Sequence, residues 1–244
     1  MRARAAVVAE RVGGVDRCTT LRSDPPLTLR ACGPGEVRLV GSAAGPIGGD
    51  ELHLAIDVGR DASLSISSVA ASMVHPSPVP SPSSFTIRAA VAGDLRWVPE
   101  PTVLVRSCDH RSAVMVDLEA DATLVWAEEV MLGRWCEPSG SLSQRMRIDR
   151  AGSPLVRADL TLGPLWPGSQ GPAGVGDALA VATVVVVGPD ARDLALPEFE
   201  GVNAAVLRMA DDAAVVSAVA SRPGQCRRLT SEVLRRCCSG ARPV

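Results

Sequence analysis

The sequence predicts a mainly β fold of stacked or layered sheets, β-helix-like or sandwich-like, with about two helices near the C-terminus. Three observations predict it. Apolar and polar residues alternate in runs of strand length. Each run stops at a short turn and then resumes. The turns recur at nearly even intervals. Leu52, Leu54, Ile56 and Val58 alternate with His53, Ala55 and Asp57, the period of a half-buried strand. Gly59-Arg60-Asp61-Ala62 turns, and Leu64 and Ile66 resume. Phe85, Ile87, Ala89 and Val91 repeat the pattern, with a turn at Ala92-Gly93-Asp94 before Leu95 and Trp97. Val114, Val116 and Leu118 precede the turn Glu119-Ala120-Asp121-Ala122, then Leu124 and Trp126. Leu142, Gln144, Met146 and Ile148 precede Asp149-Arg150-Ala151-Gly152, then Leu155. The last residues before these turns, Val58, Val91, Leu118 and Ile148, lie 33, 27 and 30 positions apart. Four hairpin-like units follow, in an antiparallel or helically wound assembly.

Two stretches interrupt the strands. Residues 73–84 hold four Pro and four Ser, and 163–177 hold five Gly and three Pro; both read as loops. The second is no dinucleotide fingerprint, because its glycine spacing is wrong. Val181 to Val187 is β-branched and reads as a buried strand, with Ala204 to Met209 as another. Asp211-Asp212 before an Ala/Val-rich stretch to Ala220 predicts a helix, since acids favour a helix start. Arg222-Pro223-Gly224 breaks it. Gln225 to Cys238 predicts a second helix with Leu229, Val233 and Cys237 on one face. The organisation expected is one domain over 1–244 with a helical part at 210–240.

Composition narrows the function. The chain has 244 residues, 46% hydrophobic and 21% charged, with a formal net charge of −2, so nucleic acid is a poor default partner. It contains no Lys and no Tyr. Without Lys there is no phosphate-loop NTPase, kinase or pyridoxal chemistry. Seven Cys include no C-x-x-C pair, so neither a zinc framework nor a redox pair is indicated. The longest largely apolar run, Ala178 to Val187, has ten residues, half of what a membrane helix needs. The start lacks a signal-peptide core. A soluble, reduced, cytoplasmic protein is expected.

Few residues suggest chemistry. No G-x-S-x-G is present, and His53, His75 and His110 are the only histidines. Cys108 and His110 would share one face of a strand but make no metal site alone; a turn with a surface histidine is the simpler reading. Glu128 and Glu129 are adjacent, so a strand points them to opposite faces. The inward one needs a partner, with Arg134, Arg106 and Arg111 as candidates. Gly45-Pro46-Ile47-Gly48-Gly49-Asp50 reads as a strand-entry turn, with Asp50 bonding nearby backbone.

Taken in order, several segments resemble the UreD (UreH) urease accessory family. They are Gly45 to Leu52, Gly93 to Thr102, Ala122 to Arg134 and Arg145 to Leu155. The positions matching the family pattern are Gly45, Gly48, Gly49, Asp50, Trp97, Pro99, Glu100, Gly133 and Arg134. Met73-Val74-His75-Pro76 stands where the family usually carries an aromatic and basic element, which marks a divergent member. The resemblance implies a β-rich fold of stacked sheets with C-terminal helices and no catalysed reaction. It implies partnership with UreF, the GTPase UreG and the urease apoprotein in nickel insertion. No cofactor is expected to bind tightly; nickel would be transient cargo. Weakly binding oxygen ligands suit such cargo, which makes Asp50, Glu100, Glu128 and Glu129 candidates for a nickel route. The competing reading is a β-sandwich module for a small ligand or carbohydrate.

Overall fold

The computed structural model describes residues 1–237. Cys238 and the last residues of the expected helical part, 239–240, lie outside them. The strands are β1 (Arg2–Val12), β2 (Val15–Arg22), β3 (Leu27–Gly33), β4 (Glu36–Gly41), β5 (Glu51–Val58), β6 (Ser63–Ser68), β7 (Ser72–Val74), β8 (Ser83–Val91), β9 (Asp94–Val98), β10 (Thr102–Leu104), β11 (Asp109–Leu118), β12 (Thr123–Met131), β13 (Ser141–Arg150), β14 (Ser153–Leu162), β15 (Ala180–Val187), β16 (Val202–Ala210) and β17 (Ala213–Ala220). One α-helix, α1, spans Pro223–Arg236.

Two sheets face each other. The first has the order β14-β13-β11-β8-β5-β1-β2, and the second β16-β17-β15-β12-β9-β6-β4-β3. Between them the chain winds as a β-helix. It passes from β5 to β6, from β8 to β9 and from β11 to β12, crossing to the other sheet each time. Successive coils therefore stack parallel, with Val58 opposite Val91 and Val91 opposite Leu118. The alternating residues of each strand point into the gap. Leu54, Ile56, Leu64, Ile66, Leu124 and Ile148 are all at most 3% exposed there. Burying each such side chain contributes roughly 1.5–3 kcal/mol.

The first three turns are thus corners between sheets, not hairpins. Of these four turns only Ala151-Gly152 makes a hairpin, β13–β14, with φ of 49° and 75° at its two residues. Two positive φ values match the twist of an antiparallel pair. The register differs from the even sequence spacing at this point, because Leu118 pairs with Arg150 and Val116 with Ile148.

The C-terminal part departs from expectation. Ala213–Ala220 is a strand, not a helix, and among the described residues one α-helix stands where about two were expected. The stretch is Ala-rich, but β17 is paired along its whole length by β15 on one side and β16 on the other. Tertiary pairing overrides local propensity here. Helix α1 lies on the outer face of the second sheet, burying Cys226, Leu229 and Val233 at helical spacing against Val184, Val186 and Ala127. Arg235 and Arg236 stand in its last turn. The 73–84 segment is shorter as a loop than its composition suggests, because β7 and β8 take its ends. Residues 163–177 contain only turns and a short 3-10 helix, Pro167–Gln170. No helix of the described residues is long and apolar enough to cross a membrane.

Candidate functional site

The corners close one end of the gap between the sheets tightly. At the other end the chain returns by longer connections, around residues 69–82 and 99–108, and these leave a cavity of about 370 Å³. Its walls come from the start of the first sheet's strands (Leu52, Phe85, His110, Leu142) and the end of the second sheet's strands (Ser68, Trp97, Glu128, Val130).

Glu128 is the acid inside. It follows Trp126 at strand period on β12, so it shares the inward face. The Trp126 indole N–H donates to its Oε1 at 3.1 Å, and the Gln144 amide donates to its Oε2. Among the described residues no basic side chain pairs with it. Burial pushes its carboxyl up to about 7, against the two hydrogen bonds that favour the anion. Trp126 also stacks on Trp97 of β9, with centroids 5.1 Å apart and planes at 18°. The Trp97 indole N–H is buried at the cavity wall without a hydrogen bond.

The raised Glu128 carboxyl has a consequence for stability. Its pKa is about 7 folded and 4.5 as the ordinary value, so the folded state holds more proton between these values. Stability then falls as pH rises through that window, by up to roughly 3 kcal/mol above it. Glu128→Gln should therefore raise the melting temperature clearly at about pH 8 and little at about pH 5. Equal melting of the two proteins at the higher pH would contradict a partly buried carboxylate lacking a basic partner.

Glu129 points the other way, under α1. Its carboxylate is 3.7 Å from Arg227, whose guanidinium also pairs with the half-exposed Glu100. Burial raises the Glu129 pKa, and Arg227 opposes the rise. Glu100 is held at its backbone too, its N–H donating to Ser68 Oγ at 2.8 Å. Both residues border the cavity, but the Glu129 carboxylate lies on the α1 side of β12, on the opposite face from Glu128. The partner is thus Arg227 from α1, not Arg134, Arg106 or Arg111.

His110 is no surface histidine. It is 3% exposed, faces the cavity, and its Nδ1 lies 2.9 Å from Ser83 Oγ. Burial lowers its pKa to about 4, so the ring is neutral near pH 7. Cys108 packs instead with Leu104, Leu142 and Leu162, and burial pushes its thiol up to about 12. That leaves no thiolate beside the histidine. Among the described residues no group of three or more His, Cys, Asp or Glu is placed to hold a metal ion.

Asp50 does not line the cavity. It is 4% exposed, accepts the Ile47 N–H at 2.8 Å and lies against the Met1 amino group. It fixes the turn that precedes β5. Gly48 and Gly49 bring this turn onto the Pro/Ser segment, donating to His75 O and Pro82 O at 3.0 and 3.1 Å. A Cβ at Gly48 would stand 2.6 Å from Ser81 O, so only glycine allows the approach. Gly45 lines the cavity beside Pro46 and His75, as do Trp97 and Pro99. Gly133 and Arg134 belong to a separate exposed turn, where Arg134 clamps Glu137 at 2.7 and 2.8 Å. The structure thus brings together Gly45, Trp97, Pro99, Glu100, Glu128 and Glu129, and leaves Asp50, Gly133 and Arg134 to their turns.

The sequence compares with known proteins along its whole length. The family model described as UreD urease accessory protein matches residues 1–243. The chain belongs to the UreD family. A UreD urease accessory protein of Frankia casuarinae is 38% identical over 257 residues, covering 91% of this chain and 81% of the relative. One of Parafrankia sp. is 39% identical, covering 87% and 84%. One of Streptomyces coelicolor is 34% identical, covering 96% of each. Membership of the UreD family gives the chain a role in urease maturation. Two residues lining this UreD-family site, Gln144 and Ser112, and the ion-pair partner Arg227 beside it escaped the sequence reading. Gln144 was visible only as an uncharged interruption in the apolar series of β13. Arg227 carried no signal, because nothing local says which sheet face its helix covers.

Proposed function

We propose that the chain accompanies nickel into the urease apoprotein, acting with UreF and the GTPase UreG, and itself catalyses no reaction. One observation carries the reading: a cavity between the sheets holds the acid Glu128, which among the described residues has no basic partner, with the half-exposed Glu100 at its border and Glu129 behind it on the α1 side of β12. Separate carboxylates and a neutral imidazole bind a divalent cation weakly, as cargo to be passed on requires. A closed cage of thiolates would retain it. The absence of Lys agrees with a nucleotide chemistry that resides in the partner. Glu128, Glu129 and Glu100 are the route residues this reading retains. Asp50 serves the turn beside them.

The test is the nickel content and activity of urease purified from cells lacking this gene and from cells in which it is restored. Nickel-poor, inactive urease rescued by the gene is the expected result. Fully loaded urease without the gene would overturn the reading.

A further inference from the structure

Four strands end the two sheets: β2 and β14 in the first, β3 and β16 in the second. An end strand offers a row of unpaired N–H and C=O groups that only another extended strand can satisfy in register, and charges, prolines or bulges usually guard it. Three of the four are guarded. β2 carries Asp16, Arg17 and Arg22, and β14 carries Pro154, Arg157 and Asp159. β3 is the shortest and carries the exposed Arg30. β16 is the exception. It runs nine residues with no Pro and one charged side chain. That side chain is Arg208, whose guanidinium is turned onto Ala191 O and Leu194 O of its own chain, so its charge does not guard the edge. The one register shift falls at the hairpin end, between Arg208 and Ala210. Among the described residues only β17 pairs with β16. The strand also holds large apolar side chains in water, Leu207 at 52% and Met209 at 42% exposed. Leu207 is in register with Val215 of the core between the sheets, so it stands on the inward face, at the open side of the gap.

We infer that β16 pairs edge to edge with β16 of a second copy of this chain, antiparallel about Val206, so that the second sheets of two molecules join into one. The strand suits itself in that register. Ala205 faces the partner's Leu207, Ala204 faces the partner's Arg208, and Asn203 faces the partner's Met209. No like charges meet directly, each small residue stands opposite a large one, and Leu207 leaves water. The area is sufficient for a weak dimer. Nine residues of strand are about 30 Å long and the sheets lie about 10 Å apart, so with its side chains the edge covers roughly 600 Å² on each chain. That is the lower limit of a stable interface, and a dissociation constant of about 10 μM is expected. No residue of β16 or β17 lines the cavity, so the pairing leaves the cavity as it is. The inference therefore stands apart from the nickel-carrying reading.

The test is sedimentation velocity of the purified full chain from about 1 to 100 μM. Wild type should pass from monomer to dimer over that range. Leu207→Lys sets two ammonium groups diagonally across the junction, and Ala205→Glu sets two carboxylates there. Each alone should weaken the dimer about tenfold or more. Ala205→Glu combined with Leu207→Lys places a carboxylate opposite an ammonium twice, and should recover the dimer. Both positions are exposed, so the variants should fold; melting curves check this, and either single variant carries the comparison if the other fails. A wild type still monomeric at about 100 μM, or a dimer that neither single variant weakens, would overturn the inference. Single variants that dissociate with no recovery in the double variant would overturn self-pairing and leave the edge to a strand of a different protein. Nickel loading of urease enters none of these results, so failure here leaves the nickel-carrying reading standing.

Discussion

Urease matured in cells carrying Glu128→Ala should hold about tenfold less nickel than urease matured with the wild-type chain, the size of loss usual when a metal-handling group is removed. Glu128→Gln should give a similar loss, because it keeps the shape and removes the charge. Both variants should remain folded. The glutamine form should be the more stable protein at about pH 8, since a partly buried carboxylate without a basic partner among the described residues is costly there. Loss of nickel delivery with gain of stability is the mark of a residue kept for function against the interest of the fold. The measurement is metal analysis of purified urease beside melting curves of the accessory protein. Full nickel loading by Glu128→Gln would remove this residue from the route.

Gly93→Ala is expected to be the most destabilising small substitution in the coil. Gly93 sits at the corner between β8 and β9, stacked on the corner of the coil before it. An added Cβ would lie 2.1 Å from Ala62 O and 2.6 Å from Gly59 O. Both oxygens are backbone and both are engaged, Ala62 O by the Asp94 N–H and Gly59 O by the Ala62 N–H. Neither can rotate away as a side chain would. Two coils would have to separate at one corner, so a loss of about 3 kcal/mol or more is expected, or a fall in melting temperature of about 10 °C. Gly168→Ala, where nothing lies within 4 Å, serves as the control and should melt as wild type does. A Gly93→Ala protein as stable as wild type would show that the coils are not stacked at this spacing.

The strands of the middle were legible because their inward residues are large and their outward ones polar. Leu52, Leu54 and Ile56 against His53 and Asp57 leave little ambiguity. The first four strands were not. In β1 the buried residues are Ala3, Ala5, Val7 and Ala9, and the outward ones include Ala6 and Val8, so alternation hardly shows. The Gly13-Gly14 pair, with φ of 60° and 81°, was the local signal for its hairpin. Corner and hairpin look alike in sequence, since each needs only a short polar turn. Which one forms depends on strands far along the chain. The same limit applies to the site. That Glu128 and Glu129 face opposite ways follows from strand period alone. That one meets Gln144 and the other Arg227 depends on sheet order and on where α1 lands, and neither has a local signature. His110 looked like a surface turn residue because Ser107, Asp109 and Arg111 around it are polar, whereas β11 begins at Asp109 and turns the ring inward.

The central claim is that nickel delivery depends on the open space between the two sheets, and filling that space tests it most directly. Ser112 lines the cavity on β11, in register with Phe85 and Gln144 on the neighbouring strands. Ser112→Phe would project a ring into the space without altering an acid or the α1 contact. The measurement is nickel per active site in urease purified from cells bearing this variant, after melting curves show the accessory protein folded. The account predicts nickel-poor urease. Urease loaded to the wild-type level with the cavity filled would contradict it.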